Sequence, residues 1–109
     1  MATRKTVNSK IKEKVLEFSR LLKRENIQTD QIILYGSWAK GTARDYSDID
    51  LCVISPLFAN RPDDYFKKIW HLASKIDSSL EPIPFTPEEL NNRYSSLAQE
   101  IKKYGIRVT

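Results

Sequence analysis

Cysteine, histidine and glycine are nearly missing from this chain: its 109 residues include one Cys, one His and three Gly. A single thiol, Cys52, closes no internal disulfide and supplies no cysteine zinc cage. A single imidazole, His71, leaves no histidine cluster for a metal and no catalytic triad. Long apolar runs are absent too. The longest cover four or five residues, far short of the ~20 that cross a membrane. The basic N-terminus from Met1 to Lys14 lacks the apolar stretch of a signal peptide. Charge of one sign is not in large excess either: 18 Lys and Arg against 14 Asp and Glu leave a net +4. Arg4, Lys5, Lys10, Lys12 and Lys14, followed by Lys23 and Arg24, read as a solvated helix face, so no specific nucleic-acid partner is expected.

What is present is a globular composition. Hydrophobic residues make up 40% and charged residues 29%, which excludes disordered, fibrous and collagenous classes. At ~100–200 residues per domain, one soluble, cytoplasmic domain over residues 1–109 is expected. Val7 to Glu25 reads as an amphipathic helix, with Val7, Ile11, Val15, Phe18 and Leu22 at helical spacing and Asn26 as its stop. Gln31 to Tyr35 and Ile49 to Ser55 read as short strands, ended by Gly36 and Pro56. Pro62 suits the first position of a helix running to about Ser78, its apolar stripe formed by Phe66, Ile69, Trp70, Ala73 and Ile76. Leu80 to Phe85 alternates, and Pro82 and Pro84 restrict it to an edge or a short strand. Thr86-Pro87-Glu88-Glu89 is a helix start with a capping box, and Leu90, Tyr94, Leu97, Ile101 and Tyr104 make its buried stripe up to Gly105. The expected fold is α/β or α+β, a small sheet with helices packed on it.

Two features carry chemistry. Gly36-Ser37 directly follows a buried strand, with Gly41 four residues after the serine. A glycine there lets the backbone turn sharply and approach a ligand closely. If Ser37 opens a short helix through Lys40, free N–H groups and the serine hydroxyl offer donors to an anion. The second feature is Ser47-Asp48-Ile49-Asp50-Leu51. Alternation along a strand puts Asp48 and Asp50 on one face, away from Ile49 and Leu51. Two carboxylates so close repel each other, and a divalent cation relieves the repulsion. An exposed acidic turn, with Asp45 as a third acid, is the competing reading. Ten residues separate Ser37 from Asp48. On neighbouring strands, phosphate cradle and carboxylates would meet at one end of the sheet, as phosphoryl or nucleotidyl transfer requires.

Gly36-Ser37, a ten-residue gap, and Asp48-x-Asp50 leading into an apolar strand resemble the nucleotidyltransferase superfamily of DNA polymerase β and kanamycin nucleotidyltransferase. The length resembles its smallest branch, the minimal nucleotidyltransferases. The resemblance runs from the strand at Gln31 to the helix ending near Gly105. It implies a small mixed sheet in a polymerase β-like core. It also implies that Gly36 and Ser37 hold a nucleoside triphosphate, ATP, and that Asp48 and Asp50 bind two Mg²⁺ ions. Lys40 stands where many members carry a basic residue; phosphate contact and simple exposure both stay open for it. The third carboxylate, a metal ligand able to help deprotonate the acceptor, is expected at Glu81 on the next strand, with Asp77 as its rival.

The resemblance further implies a role. Proteins of this kind are commonly paired with a helical HEPN-domain ribonuclease, for which they act as antitoxins. AMP transfer from ATP to a hydroxyl of that partner, a toxin tyrosine, is the expected activity. The second reading is a catalytically idle antitoxin or binding module that neutralises a HEPN ribonuclease by occlusion. A third, modification of a small molecule, needs an acceptor pocket with no obvious source in this sequence. Trp38 reads as a packed aromatic more readily than as a cover for a base. Cys52 reads as a buried, inert strand residue.

Overall fold

The computed structural model describes residues 7–109, so Arg4 and Lys5 of the basic N-terminal group lie outside the described range. Chain order is α1 (Ser9–Arg24), β1 (Gln31–Tyr35), α2 (Ser37–Lys40), β2 (Ile49–Ile54), a 3₁₀ turn (Pro56–Ala59), α3 (Pro62–Ile76), β3 (Leu80–Phe85), α4 (Pro87–Leu90), α5 (Ser96–Tyr104) and β4 (Ile106–Arg107). The four strands form one mixed sheet in the order β3-β2-β1-β4. β1 pairs antiparallel with both β2 and β4, whereas β2 and β3 run parallel. A parallel neighbour requires a crossover, and α3 supplies it. This is the mixed sheet packed with helices that the sequence led us to expect. No helix among the described residues is long and apolar enough to cross a membrane.

The period-2 alternation of the strands sorts their side chains onto two faces. Ile32, Leu34, Ile49, Leu51, Val53 and Leu80 face the main core, where they meet Val15, Phe18 and Leu22 of α1 and Ile69, Leu72 and Ala73 of α3. Ile33, Tyr35, Cys52 and Ile54 face the other way and pack with Ile101 of α5. Burial pushes the Cys52 thiol up to about 12, as an inert core thiol requires.

Local chemistry sets the element ends. Asn8 caps α1 by accepting from Lys10 N (2.9 Å) and Ile11 N (3.3 Å). At its other end Asn26 turns left-handed (φ 62°), and the Asn26 and Ile27 N–H groups donate back to Lys23 and Leu22 carbonyls. That is a Schellman ending, with asparagine in place of the usual glycine. α3 begins with Pro62 at its first position. The carbonyls of Ser79, just before β3, and of Phe85 at its end accept from Ile49 of β2 and from Ser55 just after it. Residues of that parity therefore face β2, while Pro82 and Pro84 turn their missing donors to the free edge of the sheet, as expected of prolines in a strand.

Several expectations need correction. The C-terminal helix is not continuous: α4 stops at Leu90 and α5 starts afresh at Ser96. Asparagine and serine side chains compete for the backbone in between. Asn91 Nδ2 donates to Pro87 O (3.0 Å), Asn92 Oδ1 accepts from Tyr94 N (3.0 Å), and Ser95 Oγ caps α5 through Ala98 N (3.1 Å). The break removes Tyr94 from any buried stripe and leaves it 84% exposed; Leu97 and Tyr104 are exposed as well, and Ile101 alone of the later stripe is fully buried. On α3 the buried side is Ile69, Leu72 and Ala73, while Phe66 and Trp70 stack on each other outside, each 41% exposed. β4 and the 3₁₀ turn were not anticipated; Ser55, read as the end of β2, caps that turn through Leu57 N (3.2 Å).

Lys14 of α1 pairs with Asp77, the C-cap of α3, and Ser79 donates to the same carboxylate through N–H (2.8 Å) and hydroxyl (2.6 Å). The Lys14 ammonium first, and then these donors, hold Asp77 down to about 2. A carboxyl depressed in the folded state stabilises it above the unfolded value of ~4. That contribution is lost as pH falls from about 4 towards about 2. Asp77→Asn is therefore expected to lower the melting temperature at pH 7, with the gap to wild type closing over that acid window. Melting curves from pH 7 to 2 would reveal it; a gap independent of pH would overturn it.

Candidate functional site

Tyr35 ends β1 opposite Asp50 on β2, and Asp50 stands beside Glu81 on β3. Asp50 has the parity of Cys52 and Ile54, and Glu81 that of Ile83 and Phe85, so both carboxylates belong to the sheet face covered by α5. Asp48 is exposed, two residues ahead of Asp50 and on the same side. Two strands and the loop before one of them thus bring three acids to one end of one face. Asp77, the rival third acid, is committed to Lys14 and Ser79 instead.

The turn after β1 is pressed against this cluster. Gly36 has φ 73° and ψ −151°, a region that essentially only glycine occupies. A Cβ built there would run into the Asp50 carboxylate oxygen and lie 3.2 Å from its carboxyl carbon. The missing side chain is what allows this backbone to reach the acids. α2 follows at once, and its Ala39 and Lys40 N–H groups both donate to Gly36 O (3.1 Å). The Ser37 and Trp38 N–H groups precede the first intrahelical bond, in the turn that Gly36 brings against Asp50. Gly41 closes α2 in the left-handed region. Trp38 packs on the main core, and its Nε1 donates to Ser47 O (3.1 Å); Ser47 Oγ in turn accepts from Arg44 N (2.8 Å). These bonds tie down the loop that delivers Asp48. Trp38 is the packed aromatic expected, and His71 is exposed.

The electrostatics are those of crowded acids. Burial, then the charges of Asp48 and Glu100, raise the Asp50 carboxyl. Burial, then a hydrogen bond and charge from Asp48, then the charge of Asp50, raise Glu81. Tyr35 is pushed up by burial and next by Asp50, so it stays a neutral phenol. Among the described residues no three acidic, histidine or cysteine side chains close into a metal cage. The donor set still fits Mg²⁺, which takes one or two carboxylates and completes its octahedron with water and substrate phosphates. The repulsion among Asp48, Asp50 and Glu81 is what such a cation relieves.

Two neighbours of the cluster were missed in the sequence. In sequence Tyr35 reads only as the end of a strand. Glu100 carries no motif, although its carboxylate meets Lys40 at 3.0 Å. Its one trace in the sequence is its place beside the apolar Ile101, four residues before Tyr104. Lys40, a candidate phosphate contact, is held by Glu100 and lies 5.1 Å from the centre of the Tyr104 ring.

Residues 9–108 match the family model described as a nucleotidyltransferase domain. A candidate protein adenylyltransferase of Methanocaldococcus jannaschii is 36% identical over 64 residues, which cover 55% of this chain and 44% of that protein. The chain thus spans less than half the length of this curated relative. Among solved structures, a candidate nucleotidyltransferase from Sulfolobus solfataricus superposes with a TM-score of 0.64 at 15% identity, covering 90% of this chain and 78% of that one. A toxin–antitoxin with AMP-PNP gives 0.61 at 26% identity, covering 90% and 72%. A mutant of the toxin–antitoxin MntA–HpeT gives 0.59 at 22% identity with the same coverage.

Proposed function

Since this chain belongs to the nucleotidyltransferase-domain family, we propose that it transfers AMP from ATP to a hydroxyl of a partner protein, in a Mg²⁺-dependent reaction. The acceptor is a tyrosine of a HEPN-domain toxin, and the chain is that toxin's antitoxin. The observation that carries this reading is the close approach of the Gly36 turn to Asp50, with Asp48 and Glu81 beside it. The adenylyltransferase-like relative supports a protein acceptor. The 26%-identical toxin–antitoxin with AMP-PNP supports an adenine nucleotide and a toxin partner.

Asp48 and Asp50 are the residues that would hold Mg²⁺, two ions in all, with Glu81 as third carboxylate. Such ions, held there, would supply neutralisation of the triphosphate charge. The bare backbone of Gly36 admits a phosphate, the N–H groups of Ser37 and Trp38 donate to it, and the Ser37 hydroxyl adds another donor. The acceptor oxygen bonds to the α-phosphorus as the bond to pyrophosphate breaks. Its proton passes to a carboxylate within reach, and Glu81, beside Asp50 in the parallel register, is placed for that role.

The test is transfer of α-labelled phosphate from ATP in the presence of Mg²⁺, using the purified chain with extract of its source cell. Label is expected on one protein band, on a tyrosine, and lost with chelator. Label on no protein while a HEPN protein still co-purifies would replace this reading with neutralisation by occlusion.

A further inference from the structure

Lys40 and Glu100 are 60 positions apart, yet their side chains meet at 3.0 Å, each a little over one-third exposed. The contact joins α2, which carries the Gly36 turn, to α5, which covers the carboxylate face. Both backbones are well anchored. α5 is fixed by the buried Ala98 and Ile101 and by its Ser95 cap, and α2 by the Gly41 cap. Glu100 and Tyr104 lie one helical turn apart, so carboxylate and ring meet the same ammonium. The charge of Glu100 also reaches Asp50 and Tyr35. Without Lys40, the Glu100 carboxylate would add a fourth negative charge beside the other three.

A lysine ammonium is a compact charge on a flexible stem, able to exchange one anion for another while its backbone stays still. The last residue of a four-residue helix is one turn from the helix start, and that start is where the triphosphate would lie. We propose that Glu100 is a positioning residue of this site, holding the Lys40 ammonium aside against Tyr104 until a triphosphate draws it away. The proposal rests on the reading that the Gly36 turn takes a nucleoside triphosphate. It assigns Glu100 a competitor's role: nucleotide binding breaks the link between α2 and α5, and the strength of that link sets part of the affinity.

The test is a four-member cycle of Mg·ATP binding by calorimetry: wild type, Glu100→Gln, Lys40→Ala and the double variant, with Glu100→Asp as a charge-conserving check. Glu100→Gln is expected to tighten binding about three- to tenfold by releasing Lys40. Lys40→Ala is expected to weaken it by roughly tenfold, the scale of one charge-assisted contact. In the Lys40→Ala background the glutamine is expected to change nothing beyond a factor of about two, and Glu100→Asp is expected to stay near wild type. A Glu100→Gln effect equal in both backgrounds would show plain charge repulsion and overturn the proposal, as would no effect at all. Failure of all five proteins to bind Mg·ATP would instead remove the nucleotide reading, and this proposal with it.

Discussion

Replacing Asp48 and Asp50 together by asparagine is expected to reduce nucleotidyl transfer by roughly 10³-fold or more, the scale on which phosphoryl-transfer sites lose activity with one electrostatic element. The same change is expected to raise the melting temperature at neutral pH. The Asp50 carboxyl is raised by burial and by the Asp48 charge, so its ionised form costs the folded state energy. A carboxyl raised on folding exacts that cost above its folded value and none well below the unfolded value of ~4. The thermal gain of the variant is therefore present at pH 7 and disappears near pH 3. Label-transfer rates and scanning calorimetry at the two pH values read both halves. A variant that melted lower at pH 7 would mean that these acids are not held together at the expense of stability.

Gly36→Ala is expected to remove activity by a different route. The backbone at φ 73° and ψ −151° costs any other residue about 1–3 kcal/mol. The new methyl also collides with the Asp50 carboxylate, so turn and acid must separate. A displacement of about 1 Å at a reacting centre costs on the order of 10²-fold in rate, and a loss of at least that size is expected. Each kcal/mol should appear as about 4–8 °C of melting temperature in a domain of this size. Gly41→Ala is the control. Gly41 is left-handed too, at φ 80°, but a Cβ there meets nothing within 4 Å. It should lose stability comparably and keep most of its activity. Equal losses of activity from the two substitutions would show that strain alone, not the approach to Asp50, explains Gly36.

Elements whose signal is local were legible in the sequence. β1 is four buried apolar residues ended by a glycine, and α3 begins at a proline that loses no bond there. The Asp48-x-Asp50 alternation was legible for the same reason, since strand parity needs no knowledge of the partner strand. Glu81 is reached only through the resemblance, as the acid of the following strand; the parallel pairing of β2 with β3, which no local signal announces, is what sets it beside Asp50. Whatever depended on distant contacts was not legible. Helical spacing from Leu90 to Tyr104 fits one long helix, and only the side-chain bonds of Asn91, Asn92 and Ser95 cut it in two. Phe66 and Trp70 fit the α3 stripe by period, but α3 is pressed to the sheet along Ile69, Leu72 and Ala73. β4 is two residues long and has no pattern of its own; pairing with Ile33 and Leu34 defines it. Glu100 meets Lys40 only because α5 runs back along the sheet to the carboxylate end.

The prolines of β3 bear on how this protein meets other molecules. Along the outer side of that strand the N–H groups belong to residues 80, 82, 84 and 86. Pro82 and Pro84 have none, Leu80 N donates to Asp77 O (3.1 Å), and Thr86 N donates to Glu89 Oε1 (3.0 Å). Thr86 O is itself taken by Leu90 N (3.1 Å), so an incoming strand would find at most three carbonyls and not one free amide, and a ladder needs both. This border of the sheet is closed to strand addition, and with it one common route to runaway polymerisation. A protein that docks along this side must do so through side chains, and can leave again without unzipping a sheet.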